Sequence, residues 1–276
     1  MKIIYHGDLD GHCSGAIAYK YYRERGVEPE LIEAIRYGLT FDNVEKDEPV
    51  IVVDFSLPFT ELLKITKNII WIDHHQTAID EFEHLGLEGI RKSGIAGCEL
   101  TWKFFYPTLE TPKVVKHIGD MDVWKWEYKA TEAVIEGLQL LDTHPSNTWD
   151  WNLMLTRDYN IEPLYLNGLT CVKYRENYYA KMAKNLAYEV DWLGYKCIVC
   201  NCAFTGSLVF NSIKDKSKYD LMVVYYHEGD LYNASLYSEK DYVNCGEIAK
   251  TLGGGGHVGA AGFRCNELPF KRVRSS

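Results

Sequence analysis

A chain of 276 residues has room for one large domain or two of ordinary size, and 46% hydrophobic with 25% charged residues is ordinary globular composition. The 39 acidic against 30 basic residues leave a net charge of −9, which argues against tight binding to long duplex DNA, an affinity built from many Lys/Arg–phosphate contacts. No apolar run approaches the roughly 20 residues of a membrane span, and the N-terminus carries no basic region, apolar core or cleavage site; the expectation is a soluble cytoplasmic protein.

Lys2-Ile3-Ile4-Tyr5 reads as a short buried strand that runs into His6-Gly7-Asp8-Leu9-Asp10-Gly11. A helix is predicted over Ser14–Arg25, capped by Ser14 and closed by Gly26. Leu31–Ile35 is a second strand and Gly38–Glu48 a loop. Pro49-Val50-Ile51-Val52-Val53 is the next strand, ending in Asp54-Phe55-Ser56. Ser56-Leu57-Pro58 starts a helix over Phe59–Lys67. The apolar run Asn68-Ile69-Ile70-Trp71-Ile72 then delivers Asp73-His74-His75. Taken alone that tripeptide also reads as a polar turn, with Asp73 capping a helix. Two other strands ending in the same way decide against it.

This order of elements implies a largely parallel sheet with helices on both faces. In such sheets ligands bind beyond the carboxyl ends of the strands. There Asp8, Asp10, Asp54 and Asp73 would converge with His6, His74 and His75. Clustered carboxylates repel one another unless protonated or neutralised. Two divalent cations supply the neutralisation, and a mixed Asp/His shell suits Mn²⁺ or another borderline metal better than Ca²⁺. A structural zinc site favours Cys and His in a closed tetrahedron, so an open dinuclear centre is the expectation.

Further along, helices are predicted over Cys98–Tyr106, Pro112–Ile118 and Thr131–Leu141, with Pro145–Asn160 as connecting structure. Gly119-Asp120-Met121-Asp122 adds two carboxylates. Both are candidates for the metal site; the other reading is a helix cap with Trp124 and Trp126 anchoring the core, and it is preferred for Asp122. Helical signals dominate from Pro163 to Glu189, and the domain boundary is placed near residue 190. Strands follow over Tyr195–Ala203, Leu221–Tyr226 and Leu231–Tyr237, then a short helix over Glu247–Leu252. Cys197, Cys200 and Cys202 read as reduced thiols buried in a strand, since no Cys/His pair of ligand spacing completes a tetrahedron. The run Gly253-Gly254-Gly255-Gly256-His257 reads as a concavity whose backbone N–H groups and imidazole receive a phosphate.

With these pieces in order, the chain resembles the DHH phosphoesterase superfamily in its two-domain form. His6-x-Asp8-x-Asp10-Gly11, Val53-Asp54, Asp73-His74-His75, Gly119-Asp120 with Trp124, and Gly253-Gly254-Gly255-Gly256-His257-x-x-Ala260-Ala261-Gly262 look like its five motifs. The resemblance implies a catalytic domain over residues 1–150, a helical connector over 151–190, and a smaller α/β substrate-binding domain over 191–276. It implies two Mn²⁺ (or Mg²⁺) ions, one on His6 and Asp8, the other on Asp10, His74 and Asp120, with Asp54 bridging both. His75 and Ser93 would contact substrate, and Gly254, Gly255, Gly256 and His257 would hold a neighbouring phosphate. Where related oligonucleotide phosphodiesterases commonly carry Ser-x-Arg-Ser, this chain has Ser235-Leu236-Tyr237-Ser238, so Tyr237 is expected to stack on a base. The implied activity is metal-dependent hydrolysis of short oligonucleotides or small nucleotide diesters. Alternatives are a pyro- or polyphosphatase, a nucleotide phosphomonoesterase, and a non-catalytic nucleotide-binding module.

Overall fold

A computed structural model describes residues 1–34, 41 and 44–271 of the chain. The expected strand end at Ile35 and, within the expected loop, residues 38–40, 42 and 43 lie outside the described residues. The chain forms two compact units, Met1–Val172 and Lys173–Ser276.

The first unit carries a four-stranded sheet of β1 (Lys2–His6), β2 (Glu30–Ala34), β3 (Val50–Val53) and β4 (Ile69–Ile72), in the order β2-β1-β3-β4. All three pairings are parallel. Side chains alternate across the strands as the two-residue period requires. Ile3, Tyr5, Ile51, Val53 and Ile72 face one core, while Ile4, Val50, Val52, Ile69 and Trp71 face the other. The first core is closed by α1 (Leu9–Arg23), α4 (Gly97–Phe105), α5 (Lys113–Asp122) and α6 (Thr131–Leu138), the second by α2 (Phe59–Leu62) and α3 (Gln76–Phe82). Both faces are covered, which is why these strands read as nearly unbroken apolar runs.

Register brings the strand ends level. Tyr5 lies opposite Val53, and Val53 opposite Ile72. The residues that follow, His6, Asp54 and Asp73, therefore leave the sheet at one height.

Several helix boundaries differ from expectation for local reasons. The first helix begins at Leu9, because the Asp8 side chain accepts from Gly11 N (2.9 Å) and caps it. Ser14, expected as the cap, lies inside the helix and is fully buried. A Cβ on Gly11 would sit 2.1 Å from the His6 carbonyl oxygen, so glycine lets the helix start directly against β1. The Pro58 start gives a single turn, Phe59–Leu62, rather than a helix to Lys67. The segment expected as connecting structure holds α7 (Thr148–Met154), anchored by the buried Trp151 and Met154.

α8 (Glu162–Leu186) runs across the division between the units. The second unit is a six-stranded mixed sheet of β5 (Ala187–Trp192), β6 (Tyr195–Asn201), β7 (Leu221–Glu228), β8 (Leu231–Tyr237), β9 (Gly255–Gly256) and β10 (Ala260–Cys265). Its order is β5-β6-β7-β8-β10-β9, with only β6 and β7 parallel. Strand β5 occupies residues expected to belong to the connector, pairing Ala187–Trp192 with Tyr195–Cys200 around a turn at Leu193-Gly194. α9 (Cys245–Thr251) packs on one face beside Phe263 and Phe270. Cys197 and Cys200 are fully buried in β6, Cys202 is buried just beyond it, and none of the three is in a disulfide. No helix among the described residues is long and apolar enough to cross a membrane.

Candidate metal centre

The level strand ends of the first unit gather carboxylates and imidazoles into two groups. His6 Nδ1 lies 2.8 Å from Asp8 Oδ2 and 4.0 Å from Asp54 Oδ2. His74 Nε2 lies 3.1 Å from Asp54 Oδ1, 3.6 Å from Asp122 Oδ2 and 3.7 Å from Asp10 Oδ2. Donor atoms of His6, Asp8 and Asp54 lie within 4.8 Å of one another, as do those of Asp10, His74 and Asp122. Asp54 faces both groups, one oxygen toward each. Its backbone is left-handed at φ 53°, a conformation Asp tolerates better than most residues.

Asp10 is fixed by a helix end. Its two oxygens accept from Gly97 N (2.7 Å) and Cys98 N (2.9 Å), the first free amides of α4. A Cβ on Gly97 would lie 2.7 Å from Asp54 Oδ1, so glycine is needed for the helix to reach the cluster. The strand-end pattern does not reveal this contact.

The electrostatics ask for positive charge. Burial, followed by the carboxylates of Asp54 and Asp122, pushes Asp10 well above the usual carboxylate range. Burial, followed by Asp8 and Asp122, does the same to Asp54. Burial also lifts Asp122. For Asp8 burial acts upward too, but the His6 imidazole and the Gly11 N–H outweigh it and hold the carboxyl below its ordinary value. Asp54 Oδ1 and Asp122 Oδ2 are buried without a well-formed hydrogen bond, facing the His74 imidazole at 3.1 and 3.6 Å. Unpaired buried polar atoms are costly and rare. Two such carboxylate oxygens aimed into one Asp/His cluster fit a pair of divalent cations of the Mn²⁺ or Mg²⁺ kind.

Not every expected residue takes its expected place. Asp73 does not join the cluster: its Oδ1 accepts from His74 N (2.7 Å) and His75 N (3.2 Å), and pairs with His75 Nδ1 at 2.7 Å. It orients the two histidines. His75 remains within ligand reach of Asp54 and His74, its side chain 46% exposed. Asp120 is turned away, accepting from Glu127 N (2.7 Å), Tyr128 N (3.2 Å) and Thr131 Oγ1 (2.5 Å). Asp122, expected as a cap, stands beside His74 in its stead. Trp124 and Trp126, expected in the core, are 69% and 39% exposed. Ser93 is exposed, two residues beyond the bridge between Arg91 and Asp73.

The glycine run of the second unit is not an open concavity. Gly255 and Gly256 pair with Gly262 and Ala261 as an edge strand. The amides of Gly253, Gly254 and His257 donate to the carbonyls of Lys250, Ala249 and Ala260. A Cβ on Gly254 would fall 2.1 Å from the Gly262 oxygen, so this glycine serves close packing. His257 is exposed. Tyr237 packs against the cluster of Val209, Phe210 and Met222 rather than standing free.

Residues 2–123 match the DHH family, N-terminal domain. The chain is 26% identical over 312 residues to uncharacterized protein R106 of Acanthamoeba polyphaga mimivirus, covering 98% of this chain and 70% of that protein. A pGpG-specific phosphodiesterase, PggH from Vibrio cholerae, superposes with a TM-score of 0.57 at 10% identity, covering 95% of this chain and 92% of that one. RecJ from Thermus thermophilus, in complex with Mn²⁺, superposes with a TM-score of 0.50 at 16% identity, covering 95% of this chain and 49% of RecJ. At such identities the two structures speak for the fold.

Proposed function

We propose that the chain, whose residues 2–123 match the DHH family, N-terminal domain, is a metal-dependent phosphodiesterase acting on short oligonucleotides or small nucleotide diesters. The observation that carries this reading is the pair of ligand groups, His6/Asp8 and Asp10/His74/Asp122, meeting on Asp54. A non-catalytic nucleotide-binding module has no need of so many converging carboxylates.

When bound, two divalent cations supply an activated water and neutralise charge on the phosphoryl oxygens. The chain's own part is to hold geometry. Asp54 ties the two halves of the site together, and its buried, unpartnered oxygen is ready for a cation. The α4 amides lock Asp10, so that its carboxylate needs no reorganisation during turnover. Asp73 accepts from His75 Nδ1 and raises the basicity of that ring. The half-exposed His75 side chain is assigned to contact with a substrate phosphate oxygen. In the second unit, exposed His257 is assigned to substrate binding. The net charge of −9 leaves little basic surface to track a long strand, which favours substrates of two to a few nucleotides.

The reading is tested by incubating the dialysed protein with short RNA, short DNA, linear and cyclic dinucleotides, phosphoadenosine phosphate and polyphosphate, with Mn²⁺ or with excess chelator. Hydrolysis of short nucleotide diesters that chelation abolishes and Mn²⁺ restores is the expected result. Undiminished activity in chelator, or turnover of polyphosphate alone, overturns it.

A further inference from the structure

The segment after Asp122 is built to hold two indoles in solvent. Trp124 and Trp126 both have left-handed backbones, at φ 56° and 55°. Bulky non-glycine residues rarely take that conformation, and it persists only where the surroundings over-determine it. Here Asp120 supplies the determination. Its carboxylate takes the amides of Glu127 and Tyr128 and the Thr131 hydroxyl, while its carbonyl takes the amides of Lys125 (2.9 Å) and Trp126 (3.5 Å). Five donors therefore converge on one residue, and the turn between α5 and α6 is rigid.

What this rigid turn presents is apolar surface. The Trp124 and Trp126 rings lie edge to face, centroids 5.0 Å apart at 81°, and they are 69% and 39% exposed. They anchor no core. Lys125, between them, is exposed too. The turn leaves directly from the candidate metal centre: Trp124 is two residues from Asp122, so their Cα atoms are at most about 7.6 Å apart. Strained backbone spent on exposing two tryptophans in a turn that leaves from a candidate metal centre has a ready use. Every nucleobase has a π-face, and an indole stacks on it whatever the sequence.

We infer that Trp124 and Trp126 form the stacking surface for the base of the nucleotide whose phosphate lies at the Asp54 cluster, with Asp120 as the residue that positions them. The inference rests on the phosphodiester reading above and adds where the base goes. It also places the first base contact within the first unit, in a turn that follows directly from a ligand residue.

The test uses the full-length, Mn²⁺-loaded protein and the variants Trp124→Leu, Trp124→Phe and Trp126→Leu, each checked for an unchanged melting temperature. Binding of a slowly cleaved phosphorothioate dinucleotide is followed by tryptophan fluorescence, and cleavage is measured on a dinucleotide and on its base-free (abasic) counterpart. Expected are quenching in the parent protein and about 10- to 100-fold weaker dinucleotide binding in Trp124→Leu. The loss should appear in KM more than in kcat. Trp124→Phe should recover most of it, Trp126→Leu should show a smaller loss, and base-free diester should be cleaved equally by all. Unchanged dinucleotide binding in both Leu variants, or an equal loss on the base-free substrate, overturns the stacking role. If the parent cleaves no diester yet binds the dinucleotide through Trp124, the phosphodiesterase reading fails and the base site stands. Absence of both binding and cleavage in the parent removes both.

Discussion

The carboxyl ends of β1, β3 and β4 and the glycine edge formed by β9 both drew attention as unusual sequence, and they use their polar groups in opposite ways. At the first, oxygens of Asp54 and Asp122 are buried without a well-formed hydrogen bond. At the second, the amides of Gly253, Gly254 and His257 are consumed by the chain's own carbonyls. The first region is incomplete without something brought from outside. The second is complete as folded and offers a substrate only what lies on its surface, above all His257. Buried polar atoms left unpaired thus discriminate between the two far better than glycine content does.

The sharpest way to break the comparison is at the shared ligand. Asp54→Asn keeps the side-chain shape and a residue that tolerates the left-handed backbone. It should nevertheless lower turnover by well over the roughly 10³-fold seen when one oxyanion donor is removed, and lower bound Mn²⁺ by elemental analysis. Full metal content with full turnover would show that the two ligand groups do not depend on Asp54.

Next in size is the contrast within α5. Asp122→Asn should cost on the order of 10²–10³ in kcat/KM, by analogy with removing one charge-stabilising group from a site, while leaving the chemical denaturation midpoint almost unmoved. Asp120→Ala strands two amides and a hydroxyl, each worth about 1–3 kcal/mol when left unsatisfied, so its main effect should be a lower denaturation midpoint. The reverse pattern would return Asp120 to the metal centre.

That contrast also shows where sequence reading runs out. The strand-end residues His6, Asp54 and His74 were legible because an apolar strand admits no carboxylate within it, so the polar residue must mark its end. Parallel pairing in level register then brings the ends together. Asp120 and Asp122 lie two apart on a helix, where side chains do not share a face, and both follow the same glycine. Helical spacing held one usable signal: Val115, Ile118 and Asp122 fall on a single stripe at steps of three and four, which sets Asp122 on the face of two buried residues. The α4 amides on Asp10 were not legible, since backbone donors leave no mark on composition. The indoles misled for a different reason, because tryptophan after a helix is ordinarily core and its exposure here comes from the Asp120 network.

In the second unit the comparison is sharpened by backbone alone. Gly254→Ala meets the Gly262 oxygen and should cost about 1–3 kcal/mol, as overpacking does. Gly255→Ala meets nothing within 4 Å and should stay within about 0.5 kcal/mol of the parent. Thermal melts of the two variants decide it; equal melting temperatures would mean that the glycine edge is a loose loop after all.

The smallest expected effect is that of His257→Ala, a several-fold rise in KM for short substrates with bound Mn²⁺ unchanged. Along a ladder of oligonucleotide lengths, kcat/KM should fall beyond a few nucleotides. Processive degradation of long strands would show that the acidic balance of the chain does not limit its substrates.

The left-handed backbone at Asp54 has an evolutionary corollary. At φ 53° position 54 favours Asp, Asn and Gly over β-branched residues, whatever the chemistry selected there. A related chain without metal chemistry could carry Asn or Gly at this position and keep its fold. The residue standing at 54 in any homologous chain is therefore a cheap diagnostic of whether that lineage still does chemistry or has kept only the scaffold.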